Sequence, residues 1–337
     1  MLTDVQLHEV FVDEPFSVAE ALRLGTTRET LRHRRFAAPR YGVRAFEHPG
    51  SMLGQRALGY APRLRRGERF SHLTALALWG CPIRALRGTP IDVEVPAPLG
   101  QARGRGVRGH RRVSDDAQVA RRTSGPSRRL PLTSPLRAVQ QSATLLPFSE
   151  LMVALDFFLC PRAKVTGSRA PFVTRQELAD YVSTATGRGV RRLRCAAELA
   201  RAGAESRMET LMRLAGIRAG LPLDMTLQLN IFSSDGTWIG RFDLVDPETR
   251  SIYEYDGEQH RLERRQYLRD LDRLERVRAA GWRVLRLHAE DLLGDTRAAR
   301  HRMLAHSGRS PVPVRSDLAR LLDERASGPT EPVFPIS

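Results

Sequence analysis

The chain has 337 residues, 41% of them hydrophobic and 27% charged, enough apolar material for two or three cores and unlike a collagenous or disordered polymer. Its three cysteines, Cys81, Cys160 and Cys195, lie too far apart for a disulfide framework or a zinc ribbon, and they point to a reducing, cytoplasmic compartment. The formal charge is +16, carried almost wholly by arginine since Lys164 is the only lysine, and it favours a polyanionic partner.

Residues 1–48 read as a small head. Ser17 and Glu20 form a capping-box start for a helix that Gly25 ends, and Thr26 is placed to cap a second helix over residues 27–35. Ala21, Gly25 and Leu31 then fall at helix-turn-helix spacing, with residues 39–46 as a short hairpin or wing. This predicts a winged helix-turn-helix whose DNA contacts come from Thr27, Arg28, Arg32 and Arg35, with Arg44 in the wing. Residues 49–160 read as a mixed α/β middle domain: a helix over 71–80, strands over 91–96 and 106–113, and helices over 136–160 broken near Pro147. Residues 101–137 hold ten arginines against two aspartates, and Arg105, Arg108, Arg111 and Arg112 in the Gly/Arg-rich stretch are further candidates for phosphate contact. The longest apolar run, 151–160, contains Asp156 and is too short to cross a bilayer, and no apolar leader opens the sequence, so no membrane partner is expected. Residues 161–202 read as a helical connector.

Residues 203–294 predict the order α-β-β-β-α-β: a helix over 205–215, strands over 226–232, 237–245 and 251–256, a long helix over 262–280 closed by Gly281, and a strand over 282–287. A Pro/Ser-rich tail, 295–337, follows with one short helix near 316–325. Alternation puts Glu254 and Asp256 on one face of the third strand, and a hairpin around 246–250 brings Asp243 beside Glu254. Carboxylates this close repel unless a cation lies between them. Asp243, Glu254 and Asp256 are therefore the candidate ligands of Mg2+ or Mn2+, hard cations that take oxygen ligands and can activate water against a phosphodiester. Glu209 on the leading helix and His260, placed to relay a proton, complete the candidate catalytic set. Arg213 and Arg273 stand one turn from Glu209 and Asp270, spacings that equally suit plain helical ion pairs.

The span from about Ser206 to Leu293 resembles the very-short-patch-repair-like branch of the PD-(D/E)XK nuclease superfamily. The matching residues are Glu209, Arg241-Phe242-Asp243, Glu254-Tyr255-Asp256-Gly257 with His260, Asp270-Leu271-Asp272-Arg273, and Gly281-Trp282-Arg283-Val284-Leu285-Arg286. The resemblance implies a restriction-endonuclease-like core, Mg2+-dependent cleavage of DNA, and supporting roles for Asp270, Arg273, Arg241, Arg213 and Arg286. The superfamily's usual lysine, two positions after the Glu, is replaced by Asp256. His260, Arg273 or Arg286 would have to stand in for it, and arginine is a poor base. The head is similar to the winged-helix region of AbiEi-type antitoxins. The expected function is a metal-dependent DNA endonuclease or nickase. The alternatives are an antitoxin-type transcriptional regulator with an idle nuclease-like domain, and an interaction protein whose arginines reflect a GC-rich genome.

Overall fold

The computed structural model describes residues 4–11, 14–112, 117–121, 129–161, 170–257 and 264–335, and the protein is mixed α/β. It divides into two units: residues 1–146, 162–193 and 326–337 form the first, and 147–161 with 194–325 the second. No helix among the described residues is long and apolar enough to cross a membrane.

In the first unit, the Ser17 hydroxyl accepts the Glu20 N–H at 3.0 Å and caps the helix Val18–Arg23, and Gly25 takes the left-handed turn at φ +92°. Leu7, Phe11, Phe16, Ala21, Leu31 and Phe36 form the core of the head. The second helix expected over 27–35 is absent; only a 3-10 turn, Thr30–Arg32, forms there. Three threonines and the cationic run Arg32–Arg35 disfavour helix propagation, and burial of Leu31 and Phe36 fixes the segment without it. Val43–Arg44 pairs antiparallel with Phe16–Ser17, and Ala45 bridges Ala37.

The same unit holds a five-stranded sheet, in the order Val107–Arg112, Ile91–Pro96, Arg69–Phe70, Arg129–Thr133, Ala117–Arg121. The strand Ile91–Pro96, second in the sheet, is buried on both faces, with Ile91, Val93 and Val95 on one and the acids Asp92 and Glu94 on the other. It runs parallel to Val107–Arg112, which puts Asp92 opposite Arg108 and Glu94 opposite His110.

The second unit runs helix Arg207–Ala219, strands Thr226–Phe232, Trp238–Asp246 and Ser251–Tyr255, helix Arg264–Ala279 and strand Arg283–Leu287. Its sheet order is Arg283–Leu287, Ser251–Tyr255, Trp238–Asp246, Thr226–Phe232, antiparallel except for the parallel pairing of Ser251–Tyr255 with Arg283–Leu287. Two cores flank the sheet. Met212, Leu244, Tyr253, Leu287 and Met303 belong to one, and Ile231, Phe242, Val245, Ile252 and Val277 to the other. The nearly all-buried helix Phe148–Leu159, which the sequence division grouped with the middle domain, packs on Arg207–Ala219 here. The stretch read as a tail also contains a helix, Arg297–Ser307, whose Ala299 and Met303 enter the core. With Ala299, Met303 and the partly buried Leu304 as its anchors among polar neighbours, it lacks the broad apolar stripe that would have announced it.

Leu227 and Leu229 are two positions apart, as are Phe242 and Leu244, yet each pair splits between the two cores. The alternation breaks where Gln228 takes a left-handed backbone, φ +53°, directly across the ladder from Asp243. For a non-glycine residue that conformation costs roughly 1–3 kcal/mol, strain of the kind that collects at functional sites.

Candidate functional site

The bend at Gln228 positions the acids. Glu209 sits in the first turn of its helix, where its own N–H donates to the capping Ser206 hydroxyl at 3.1 Å. Its carboxylate accepts the Glu205 N–H (2.8 Å) and the Gln228 side-chain amide (2.9 Å). The same Gln228 nitrogen donates to Asp243 Oδ1 at 3.2 Å, and Asp243 Oδ2 accepts the Tyr255 N–H at 3.0 Å. Leu244 pairs with Tyr253, so the antiparallel register continues to place Asp243 beside Glu254. Glu209, Asp243 and Glu254 thus form one chain of acids, with Asp243 between the other two.

Burial raises all three proton affinities, and the Asp243 charge adds to the rise at Glu209 and Glu254. Glu209 is pushed up to about 7, first by desolvation and then by the Asp243 charge. Asp243 is raised, mainly by burial. Glu254 is also raised by burial, which outweighs the nearby Arg273 guanidinium. That guanidinium lies 3.0 Å from Glu254 Oε1 and 3.4 Å from Oε2, stacks over the Phe242 ring at 4.8 Å and donates to the Arg241 carbonyl at 3.2 Å. Among the described residues, Glu209 and Asp243 form no ion pair.

The other expected participants are arranged differently. Asp256 is half-buried with Arg286 at 3.5 Å and the His288 ring at 3.9 Å, and the same Arg286 charge also reaches Glu254. Arg213 does not pair with Glu209; it reaches the buried Asp156 at 2.6 Å and the Leu199 carbonyl at 2.8 Å. Arg241 pairs with Glu205 at the surface, 2.9 Å away. Asp270 is 3.9 Å from Arg273, a loose contact beside the Glu254 pairing. His260 lies outside the described residues. Gln228, which links Glu209 to Asp243, is the participant that sequence reading missed, because a glutamine in an alternating strand reads as a solvent-facing residue.

The donor set is made of carboxylate oxygens in a largely buried setting, and among the described residues two of its three acids form no ion pair, Asp243 feeling the Arg273 charge only at longer range. It fits a hard divalent cation such as Mg2+ or Mn2+. No three of these acids bring ligand atoms within 4.8 Å of one another among the described residues; the group that does is His72, Asp92 and His110, in the first unit.

The candidate DNA-contacting residues fall into two groups. Arg28, Arg32, Arg105 and Arg111 are exposed. The others are engaged within the fold. Thr27 Oγ1 accepts the Thr30 N–H (3.1 Å), and Arg35 lies over the Phe36 ring (5.0 Å). Arg44 donates to the Leu31 and Val43 carbonyls (2.5 and 2.9 Å), Arg108 pairs with Asp92 (2.7 Å), and Arg112 donates to the Gly67 carbonyl (3.0 Å).

No protein-family model, curated protein or solved structure matches the chain.

Proposed function

We propose that the protein is a DNA-binding, metal-dependent endonuclease of the cytoplasm, its second unit a PD-(D/E)XK-type core and its first unit an arginine-bearing DNA-binding part. The single observation that carries the reading is the coupled row Glu209–Asp243–Glu254, contributed by a helix and two strands beside the bend at Gln228, in an α-β-β-β-α-β order. Two buried acids and a half-buried one, with a single guanidinium among them at Glu254, cost stability, and clustered acids of raised proton affinity are what a phosphodiester-cleaving metal centre uses.

Asp243 and Glu254 would hold a Mg2+ or Mn2+ ion with Glu209 beside them, and the bound ion would supply Lewis acidity to a phosphate oxygen and a water of lowered pKa. The chain's own residues do the rest. Gln228 keeps one Asp243 oxygen and one Glu209 oxygen in fixed register, while the Tyr255 N–H fixes the other Asp243 oxygen. Glu209, half-protonated near neutral pH, can hold or release a proton at Oε1 or Oε2. Arg273 would leave Glu254 for the scissile phosphate, a bidentate partner for phosphate as good as for carboxylate. Arg28, Arg32, Arg105 and Arg111 would neutralise backbone phosphates.

A second reading has its own support. Arg273 already spans both Glu254 oxygens and Asp256 stands at the usual lysine position, features that suit an antitoxin-type DNA-binding regulator whose nuclease-like core is idle. Incubation of the full chain with supercoiled plasmid and Mg2+ or Mn2+ separates the two. Nicking that is lost in Asp243→Ala is expected. Salt-sensitive DNA binding without nicking at any protein ratio favours the regulator.

A further inference from the structure

The first unit contains a group of side chains that neither reading uses. Asp92 is fully buried in Ile91–Pro96, an inner strand of the five-stranded sheet. Its Oδ1 accepts from Arg108 Nε at 2.7 Å and lies 2.9 Å from His110 Nε2. Its Oδ2 is buried with no hydrogen-bond partner among the described residues. An unsatisfied buried carboxylate oxygen costs several kcal/mol, on the order of 1–3 or more for a charged group, and calls for an explanation.

The surroundings point to a cation. The His72 and His110 rings stack with centroids 3.9 Å apart, and one ligand atom from each of His72, Asp92 and His110 lies within 4.8 Å of the others. Two imidazoles and one carboxylate make a mixed nitrogen–oxygen set, which suits zinc better than magnesium. Supporting contacts surround the group as they do around metal ligands. Ser71 Oγ lies 2.9 Å from His72 Nδ1, and in the tautomer whose Nδ1–H donates to that hydroxyl the Nε2 lone pair is left for a ligand bond. The His72 N–H donates to Gln141 Oε1 at 3.2 Å, and Gln141 donates in turn to Glu94 at 2.6 Å. Glu94 is tied to Arg69 at 2.5 Å and to the Thr133 hydroxyl at 2.9 Å. His72 is held at φ +50°, a strained backbone for a residue other than glycine, and this network keeps it there. Both histidines are only half-buried, which leaves an entry path from solvent.

We infer that His72, Asp92 and His110 form a Zn2+ site, with Asp92 Oδ2 as the carboxylate donor and the fourth position open to water or an anion beside Arg108. Arg108 engages only Oδ1, so it steadies the carboxylate without occupying the donor oxygen. Three protein ligands and one open position are the pattern of zinc centres that act on a substrate, rather than of closed structural ones. The site is independent of the acids in the second unit.

The test is calorimetric titration of the metal-stripped full chain with Zn2+, in excess Mg2+ to occupy the carboxylate row. One equivalent binding at micromolar affinity or tighter is expected, weakened at least tenfold, roughly, in His110→Ala that retains the native circular dichroism spectrum, and unaltered in Asp243→Asn. Wild-type histidine modification by diethyl pyrocarbonate, read by peptide mass spectrometry, gives the same answer without any variant: Zn2+ should shield His72 and His110 selectively. Absence of Zn2+ binding, full affinity in the folded variant, or equal modification of both histidines with and without Zn2+ each overturns the assignment.

Discussion

Glu209→Gln isolates the cost of the acid row. In the folded chain the Glu209 carboxyl rises from its ordinary 4.5 to about 7. Each tenfold change in proton affinity is worth about 1.4 kcal/mol, so the charged form is penalised by about 3 kcal/mol at pH 8. The group is almost fully buried, 8% exposed, so solvent screens little of this. The folded carboxyl binds its proton more tightly than the unfolded one. Its contribution to stability is therefore most favourable below pH 4.5, and it declines as pH rises from there through about 7. Glutamine removes the charge but keeps one oxygen to accept the Glu205 N–H, and loses about 1 kcal/mol of charge-assisted hydrogen bonding. The variant should be more stable than wild type by about 2 kcal/mol at pH 8, about 5 °C in melting temperature for a unit of this size, and equal to it or slightly weaker at pH 5. Scanning calorimetry of the full chain at the two pH values measures the difference. A variant destabilised equally at both would refute the claim that Glu209 is a desolvated, electrostatically strained acid.

Further substitutions probe the neighbouring contacts. Arg213→Ala leaves Asp156 buried and unpaired, so it should cost about 3–5 kcal/mol in the second unit, read as a loss in denaturant midpoint. Gly240→Ala puts a methyl 2.8 Å from Arg273 Cδ, so it should displace that side chain and raise the Glu254 proton affinity further, visible by carboxyl 13C titration in NMR. In the head, Arg28→Ala with Arg32→Ala should weaken DNA binding at constant thermal stability and lower the salt dependence by about two counterions. Arg44→Ala should instead lower the melting temperature, because Arg44 bonds the Leu31 and Val43 carbonyls. A binding slope unchanged by the first pair, or an Arg44 variant as stable as wild type, would contradict these assignments.

Much of the second unit was legible in the sequence because local signals agreed there. Ser233–Gly236 and Asp246–Arg250 are rich in turn formers between alternating strands, and Gly281 marks the end of the long helix. Asp243 and Glu254 could be placed side by side from the hairpin register alone. What alternation could not convey was the bend at Gln228, which breaks the period-two rule on both strands and lets the Glu209 helix reach the acids. Nor could spacing foresee that Arg213, one turn from Glu209, turns to Asp156, since that partner lies on a helix 57 residues upstream and the pairing is tertiary. The threonines at 26, 27 and 30 carry good capping chemistry, yet the stretch after them lacks the propensity to continue as a helix. The His72, Asp92 and His110 cluster has no sequence motif at all, because one residue starts a helix and two come from neighbouring parallel strands.

The central claim is that Glu209, Asp243 and Glu254 exist to hold a divalent cation at a phosphodiester. A crystal of the full chain soaked in Mn2+ and measured at the manganese absorption edge reads this directly. An anomalous peak is expected between the Asp243 and Glu254 carboxylates, with Arg273 swung away from Glu254. A map without that peak, and Arg273 still spanning both Glu254 oxygens at saturating Mn2+, would contradict the claim.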